Sequence, residues 1–335
     1  TRTLGGGGYD EPLEIDNIFT RPHTKDGAAR MKPVSTGAYN CYLGKDRKTL
    51  YSAKWEFTED GLQTTNMVEL SEHILSAGVV DMAYAPGSFY GGALPEKDAL
   101  VTSNRVAAEA RENGGIDLIN EIHQEKMGVY YLGWFDSGVT YNLWSVNEPA
   151  LDADGNLDVS GIRLRGNPVY NAFFTNYLGA QVIDIQTTDV YSALERGIVD
   201  ATGWTQIGLV DLRWDEFLNY RIEPSFFSTD LGVIVNLESW NALTPEAQEI
   251  LQQAAIDHER ASVEALRERR DSEFEILEER GMTTFTLEGD AAARYLEAAR
   301  EETWARMREQ MVQHPMGLTH YDTLIELFYD LDAAQ

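Results

Sequence analysis

GIRLRGNPVYNAFFTNYLGAQVIDIQTTDVYSALERGIVDATGW, residues 161–204, decides the fold. Ile162-Arg163-Leu164-Arg165 alternates apolar and basic residues like a half-buried strand. Pro168 then opens a segment with Val169, Phe173, Phe174, Tyr177 and Leu178 at helical spacing, closed by Gly179. Gln181 to Ile185 reads as a short strand. Thr187-Thr188-Asp189 reads as the cap of a helix from Val190 to Arg196, and Gly197 stops that helix. Ile198-Val199-Asp200 leads to a turn ending at Trp204. Strand, helix, strand, helix, strand implies a parallel sheet with its loops gathered at one edge. Arg165 at such an edge has two readings: a solvated or ion-paired side chain, or a planar fork for a ligand carboxylate. Pattern alone leaves both open.

The chain of 335 residues is long enough for two ordinary domains and a substantial core, and its composition, 43% hydrophobic and 10% aromatic, is that of a globular protein. No run of 18 apolar residues occurs, so no direct membrane insertion is expected. Fifty-five acidic against 27 basic residues give a formal charge of −28, which excludes nucleic acid and anionic membranes as expected partners. An anionic small ligand would therefore need a local cationic site. Cys41 is the only cysteine, so neither an intrachain disulfide nor a cysteine metal cluster can form.

Enzyme signatures are missing. Gly5 to Gly8 lack the Lys-Ser/Thr of a phosphate loop, and the six histidines show no zinc-helix spacing. There is no G-x-S-x-G elbow and no G-x-G-x-x-G. Thr49 to Phe57, Val79 to Tyr84, Gly128 to Trp134, Thr140 to Val146 and Leu231 to Asn236 read as strands, with a short strand at Phe285 to Leu287. Helices are expected over Leu62 to Ala77 and over Val106 to Met127, the latter broken near Gly114-Gly115. A long helix should follow the cap Thr244 and Pro245, its charges at three- and four-residue spacing forming a solvated face. The loop Pro86 to Leu94, with Phe89 and Tyr90, is either a lid over a ligand or a plug against its own sheet. Trp214, Tyr220 and Trp240 read as core.

Several of these segments together resemble the substrate-binding proteins of tripartite ATP-independent periplasmic (TRAP) transporters. That family carries a G-x-K/R-x-R strand, then L-G-A, then S/T-E/D-V-Y-x-A-L-x-x-G-x-V-D. Here these are Gly161-Ile162-Arg163-Leu164-Arg165, Leu178-Gly179-Ala180, and Thr188-Asp189-Val190-Tyr191-Ser192-Ala193-Leu194 through Gly197 to Val199-Asp200. Gly78-Val79-Val80-Asp81-Met82-Ala83 and Trp240 to Glu246 extend the match, whereas Lys25 to Arg47 departs from it.

The resemblance implies an α/β fold: a two-domain periplasmic binding protein, type II-like, with a ligand cleft between the domains and a long helix spanning both. Domain 1 would take residues 13–140 with about 236–260 and the C-terminal helices, and domain 2 residues 141–235. The connecting helix would take 245–280, and a helical region packing on the domains 281–335. Arg165 matches the arginine that clamps the ligand carboxylate. Trp204 would shape the pocket in place of the family's frequent asparagine, resembling a branch that takes 2-oxo or 2-hydroxy acids. Gly203 stands where that branch has an acidic residue, which removes one cation ligand; no cofactor is expected, and a cation bridging the ligand is argued against. Asn142 falls at a polar ligand contact or is a surface strand residue, and Tyr84, Phe89, Trp134 and Asp230 would line the cleft or belong to its walls. The function implied is capture of a small organic carboxylate for a TRAP membrane permease. The localisation implied is periplasmic, with the signal peptide already removed. A binding protein serving a sensor kinase and an enzyme using the same cleft are the alternatives.

Overall fold

In the computed structural model, which describes residues 75, 78 and 81–330 and the backbone of 40–43 and 50–53, the 161–204 stretch alternates strand and helix as its periodicity dictates, except that the last strand is Ala201–Thr205, where the sequence suggests a turn after Asp200. Arg163–Gly166, Gln181–Asp184 and Ala201–Thr205 are strands, and Val190–Glu195 is the helix before the last of them. Arg163–Gly166 is parallel to both of the others. The segment after Pro168 ends in a π-helical turn, Phe173–Tyr177. Thr140–Ser145 runs antiparallel to Ala201–Thr205 and to Tyr220–Ser228, and Thr283–Thr286 closes the sheet alongside Tyr220–Ser228. The result is a mixed six-stranded sheet in which Thr140–Ser145 pairs antiparallel with both neighbours and parallel pairs lie beyond it on each side.

The chain divides into two compact units. One comprises residues up to 94, 111–135 and 231–260. Its three-stranded antiparallel sheet places Leu231–Asn236 between Met82–Pro86 and Val129–Trp134. The helix Gly115–Met127 begins after Gly114 and ends at Gly128, both glycines at positive φ where a side chain would strain the backbone. Trp240 packs in this unit and stacks on Tyr130 at 3.9 Å between ring centroids. The strand pair Asn40–Leu43 and Leu50–Ala53 is antiparallel. The helix expected over Leu62 to Ala77 lies almost wholly outside the described residues.

The other unit comprises 95–110, 136–230 and 261–335 and holds the six-stranded sheet. One face of that sheet buries Leu143, Leu164, Tyr170, Phe173, Phe174 and Phe227. The other buries Trp144, Val190, Leu194, Leu209 and Trp214. Trp214 is core as expected, whereas Tyr220 is only half-buried. The helix Gly289–Val312 packs Tyr295 and Ala299 into the first of these faces. The C-terminal helices therefore group with this unit, not with the unit that holds the N-terminal strands, Gly289–Val312 packing its apolar stripe on the Phe173 cluster.

Thr244 caps the long helix Pro245–Glu279 through an Ala247 N–H donated to its Oγ1 at 3.2 Å. Its charged residues are not all a solvated face. Glu259 is buried in the first unit, where it accepts Arg111 Nε and Nη2, each at 2.8 Å, and the Trp134 N–H at 2.9 Å. Glu273 is buried in the second and accepts the backbone N–H groups of Gly208 and Val210 at 2.7 and 3.1 Å. Burial nonetheless raises the Glu273 carboxyl above the usual carboxylate range, the two N–H donors opposing that rise.

Candidate ligand-binding site

Arg165 is the third residue of Arg163–Gly166, at the carboxyl edge of the parallel strands, and its side chain is 2% exposed. Its Nε donates to Ile185 O at 2.9 Å, Nη2 to Thr187 Oγ1 at 3.1 Å, and Nη1 to the Tyr170 hydroxyl at 2.9 Å. Tyr170 passes its own hydrogen to Gly203 O at 2.8 Å. The sequence suggests Thr187 as part of a helix cap; its hydroxyl accepts from the guanidinium instead, and no side chain caps the turn Thr187–Asp189. All three acceptors are neutral. No carboxylate among the described residues pairs with Arg165, so neither an ion pair nor a solvated arginine describes it.

A guanidinium carries five N–H donors. Three are used, which leaves two, one on each terminal nitrogen. A buried, charged fork with two such donors fits the two oxygens of a carboxylate. Burying a charge without a counter-ion is costly, so the arrangement favours an anion brought from outside. The 161–204 motif points to Arg165; its hydrogen-bond partners Ile185, Thr187 and Tyr170 are assembled by tertiary folding and carry no signal of that contact in the sequence.

Gly203 makes the Tyr170 contact possible. A Cβ there would lie 2.7 Å from the Tyr170 ring, so any side chain would push the ring off the position from which it meets Arg165. Tyr170 thus occupies the space that a side chain at position 203 would take.

Thr202 pairs with Arg165 in register, and Trp204 pairs with Asn142. Since side chains alternate along a strand, Arg165, Thr202, Trp204 and Asn142 share one sheet face. The Trp204 ring centroid is 5.9 Å from the Arg165 Cζ and packs edge-on against Trp214 at 4.7 Å. Asn142 is fully buried, which contradicts its surface-strand reading. Between Ile222 and Phe227 the neighbouring strand bulges away, and Asn142 Nδ2 donates to Ile222 O at 2.8 Å.

Asp230 is buried in the same unit, near Tyr141 and Lys97. Loss of solvent, then Asp230, Tyr170 and Asp136, drives the Tyr141 hydroxyl well above its ordinary range, with Arg165 opposing. Lys97 was not singled out by sequence. It is buried against Asp98, which Arg306 holds in a fork at 2.9 and 2.8 Å, and desolvation lowers its pKa. That ammonium already has its counter-ion.

Tyr84 and Trp134 belong to the first unit. Trp134 is fully buried, and Tyr84 packs against Phe135 at 6.3 Å. Both have the character of core. Phe89 lies in the turn Gly87–Tyr90, and its side chain is outside the described residues. Its neighbour Tyr90 is buried and holds His123 Nε2 at 3.1 Å, so Tyr90 is a plug for its own unit and not a lid.

Arg165 thus presents a buried cationic fork at the carboxyl edge of the parallel strands. Residues 73–310 match the family described as bacterial extracellular solute-binding protein, family 7 (DctP), and the chain belongs to that family. A solute-binding protein of Albidiferax ferrireducens is 22% identical over 303 residues, 87% of this chain and 85% of that protein. A monocarboxylate 2-oxoacid-binding periplasmic protein of Nostoc is 26% identical over 221 residues, 59% of this chain; the chain spans about half of its length (53%). Among solved structures, a Roseobacter denitrificans TRAP periplasmic solute-binding protein with bound β-D-glucuronate superposes with a TM-score of 0.65 at 16% identity, over 84% of this chain and 89% of that one. The fold is that of TRAP periplasmic solute-binding proteins. Among the described residues no helix is long and apolar enough to cross a membrane.

Proposed function

We propose that this protein captures a small organic carboxylate on Arg165 and delivers it to the membrane subunits of a TRAP permease for ion-coupled uptake from the periplasm. One observation carries the reading: a guanidinium 2% exposed, hydrogen-bonded only to neutral oxygens, with one N–H left on each terminal nitrogen. The relatives support the ligand class, one being named for monocarboxylate 2-oxoacids and another holding β-D-glucuronate. With a formal charge of −28 the protein's overall field repels anions, so a local fork has to supply the attraction. Trp204 and Asn142 flank the fork on the same face and complete the polar wall of the site.

A thermal-shift screen against mono- and dicarboxylates, hydroxy and oxo acids, aromatic acids and sugar acids tests this reading. Binding of the best acid should disappear in Arg165→Ala, with the circular dichroism spectrum unchanged. Undiminished affinity in that variant would remove the assignment.

A further inference from the structure

Thr283–Thr286 is an edge of the six-stranded sheet. It runs parallel to Tyr220–Ser228 on one side, and among the described residues no strand pairs with its other side. The Thr283 N–H donates to Asn219 O and the Leu287 N–H to Glu223 O, both at 2.8 Å. Backbone groups alternate in direction along a strand, so Thr283, Phe285 and Leu287 face the sheet, and Thr284 and Thr286 turn their N–H and C=O outward. Native edges are usually blunted by a charge, a proline or a covering element. The opposite edge of this sheet, Gln181–Asp184, ends on Asp184, which accepts Asn171 Nδ2 at 3.1 Å. Thr283–Thr286 carries neither charge nor proline, and its three threonines are exposed.

We propose that Thr283–Thr286 is a docking edge for a second copy of this chain, the two strands pairing antiparallel about a two-fold axis. In that register Thr284 of each copy exchanges both N–H···O bonds with Thr286 of the other, and the two Phe285 residues oppose each other at the axis. Threonine then faces threonine across the pair, a favourable match. The flanking charges agree with this direction. Arg280 precedes the strand, Glu288 and Asp290 follow it, and all three are exposed. Antiparallel pairing sets the cationic end of each copy beside the acidic end of the other. Arg280 also meets Asp215 through Nη1 at 2.5 Å, and its guanidinium has further donors to offer. The formal charge of −28 on each copy opposes the approach, so the dimer is weak and salt strengthens it by screening that repulsion.

Sedimentation velocity on the full chain tests the edge, over protein concentrations from about 10 μM to about 1 mM and at roughly 0.1 M and 1 M salt. The dimer share should rise with concentration and with salt. Thr284→Pro removes an outward N–H that the sheet does not use and should leave monomer throughout, with the circular dichroism spectrum unchanged. Two double variants test the register without a proline. Thr284→Glu with Thr286→Glu opposes like charges across the pair, whereas Thr284→Glu with Thr286→Lys opposes unlike ones. The second should associate about tenfold or more tightly than the first. A monomer under every condition, a dimer undiminished in a folded Thr284→Pro, or equal association of the two double variants would overturn the proposal.

Discussion

Arg111 is partly buried and Arg165 fully, and the two units treat these arginines oppositely. In the first unit Arg111 meets Glu259 through two 2.8 Å bonds, and the carboxylate is 1% exposed. Nearby, His123 Nδ1 bonds Ile119 O at 2.7 Å while Nε2 meets the Tyr90 hydroxyl. The Arg111–Glu259 pair and both His123 ring nitrogens are matched within the protein. In the second unit Arg165 meets three neutral oxygens and no carboxylate, and Trp204 Nε1 and Asn142 Oδ1 go unmatched beside it. Closed polar pairs hold a fold together, whereas unmatched groups at a sheet edge are an offer to a ligand. The two arginines differ in their partners as well as in their burial, the Arg111 side chain being 23% exposed and Arg165 2%.

The largest expected effect comes from removing each cation in turn. Arg111→Met strands the buried Glu259 carboxylate and should lower unfolding free energy by about 3–5 kcal/mol. Arg165→Met strands no counter-ion and should lower the stability of the unliganded protein by no more than about 1 kcal/mol. Urea midpoints of the two variants check this, and equal losses would break the comparison.

Acid is the next lever. Burial lowers the His123 pKa to about 4, so the native state refuses a proton that the unfolded chain accepts near its ordinary value of 6.5. Its neutral form therefore supports the fold above pH 6.5, and that contribution is lost as pH falls through 4, about 3 kcal/mol in all. His123→Gln should flatten the fall in stability between pH 6.5 and 4, measured by urea midpoints at several pH values. Gly203→Ala comes third. It drives a methyl into the Tyr170 ring and should cost about 1–3 kcal/mol of stability, with weakened carboxylate binding, because Tyr170 then releases Arg165 Nη1. Smallest is Thr187→Val, which removes one neutral hydrogen bond to Nη2 and should weaken binding by about 1 kcal/mol in a titration without changing the fold.

The strand-helix-strand run from Arg163 to Thr205 was legible because glycines and apolar spacing punctuate it. Arg165 was legible only through the family motif; its strand pattern is shared with Arg163, which pairs with Asp200 at 2.8 Å. Asn142 could not be assigned because its partner is a carbonyl exposed by a bulge, and no residue in Thr140–Ser145 announces a bulge in a neighbouring strand. Glu259 and Glu273 disappeared into the charge pattern of a 35-residue helix, where two buried glutamates look like the solvated ones around them. Lys97 sits between Glu96 and Asp98 and carries no signal of its own until the fold brings Arg306 to Asp98. In each case the missing information was a partner distant in sequence.

A crystal structure of the protein with its tightest-binding carboxylate tests the central claim most directly. The two carboxylate oxygens should lie about 2.7–2.9 Å from Arg165 Nη1 and Nη2, with Ile185 O, Thr187 Oγ1 and Tyr170 still holding the guanidinium. An anion seated elsewhere, with those terminal nitrogens untouched, would contradict it.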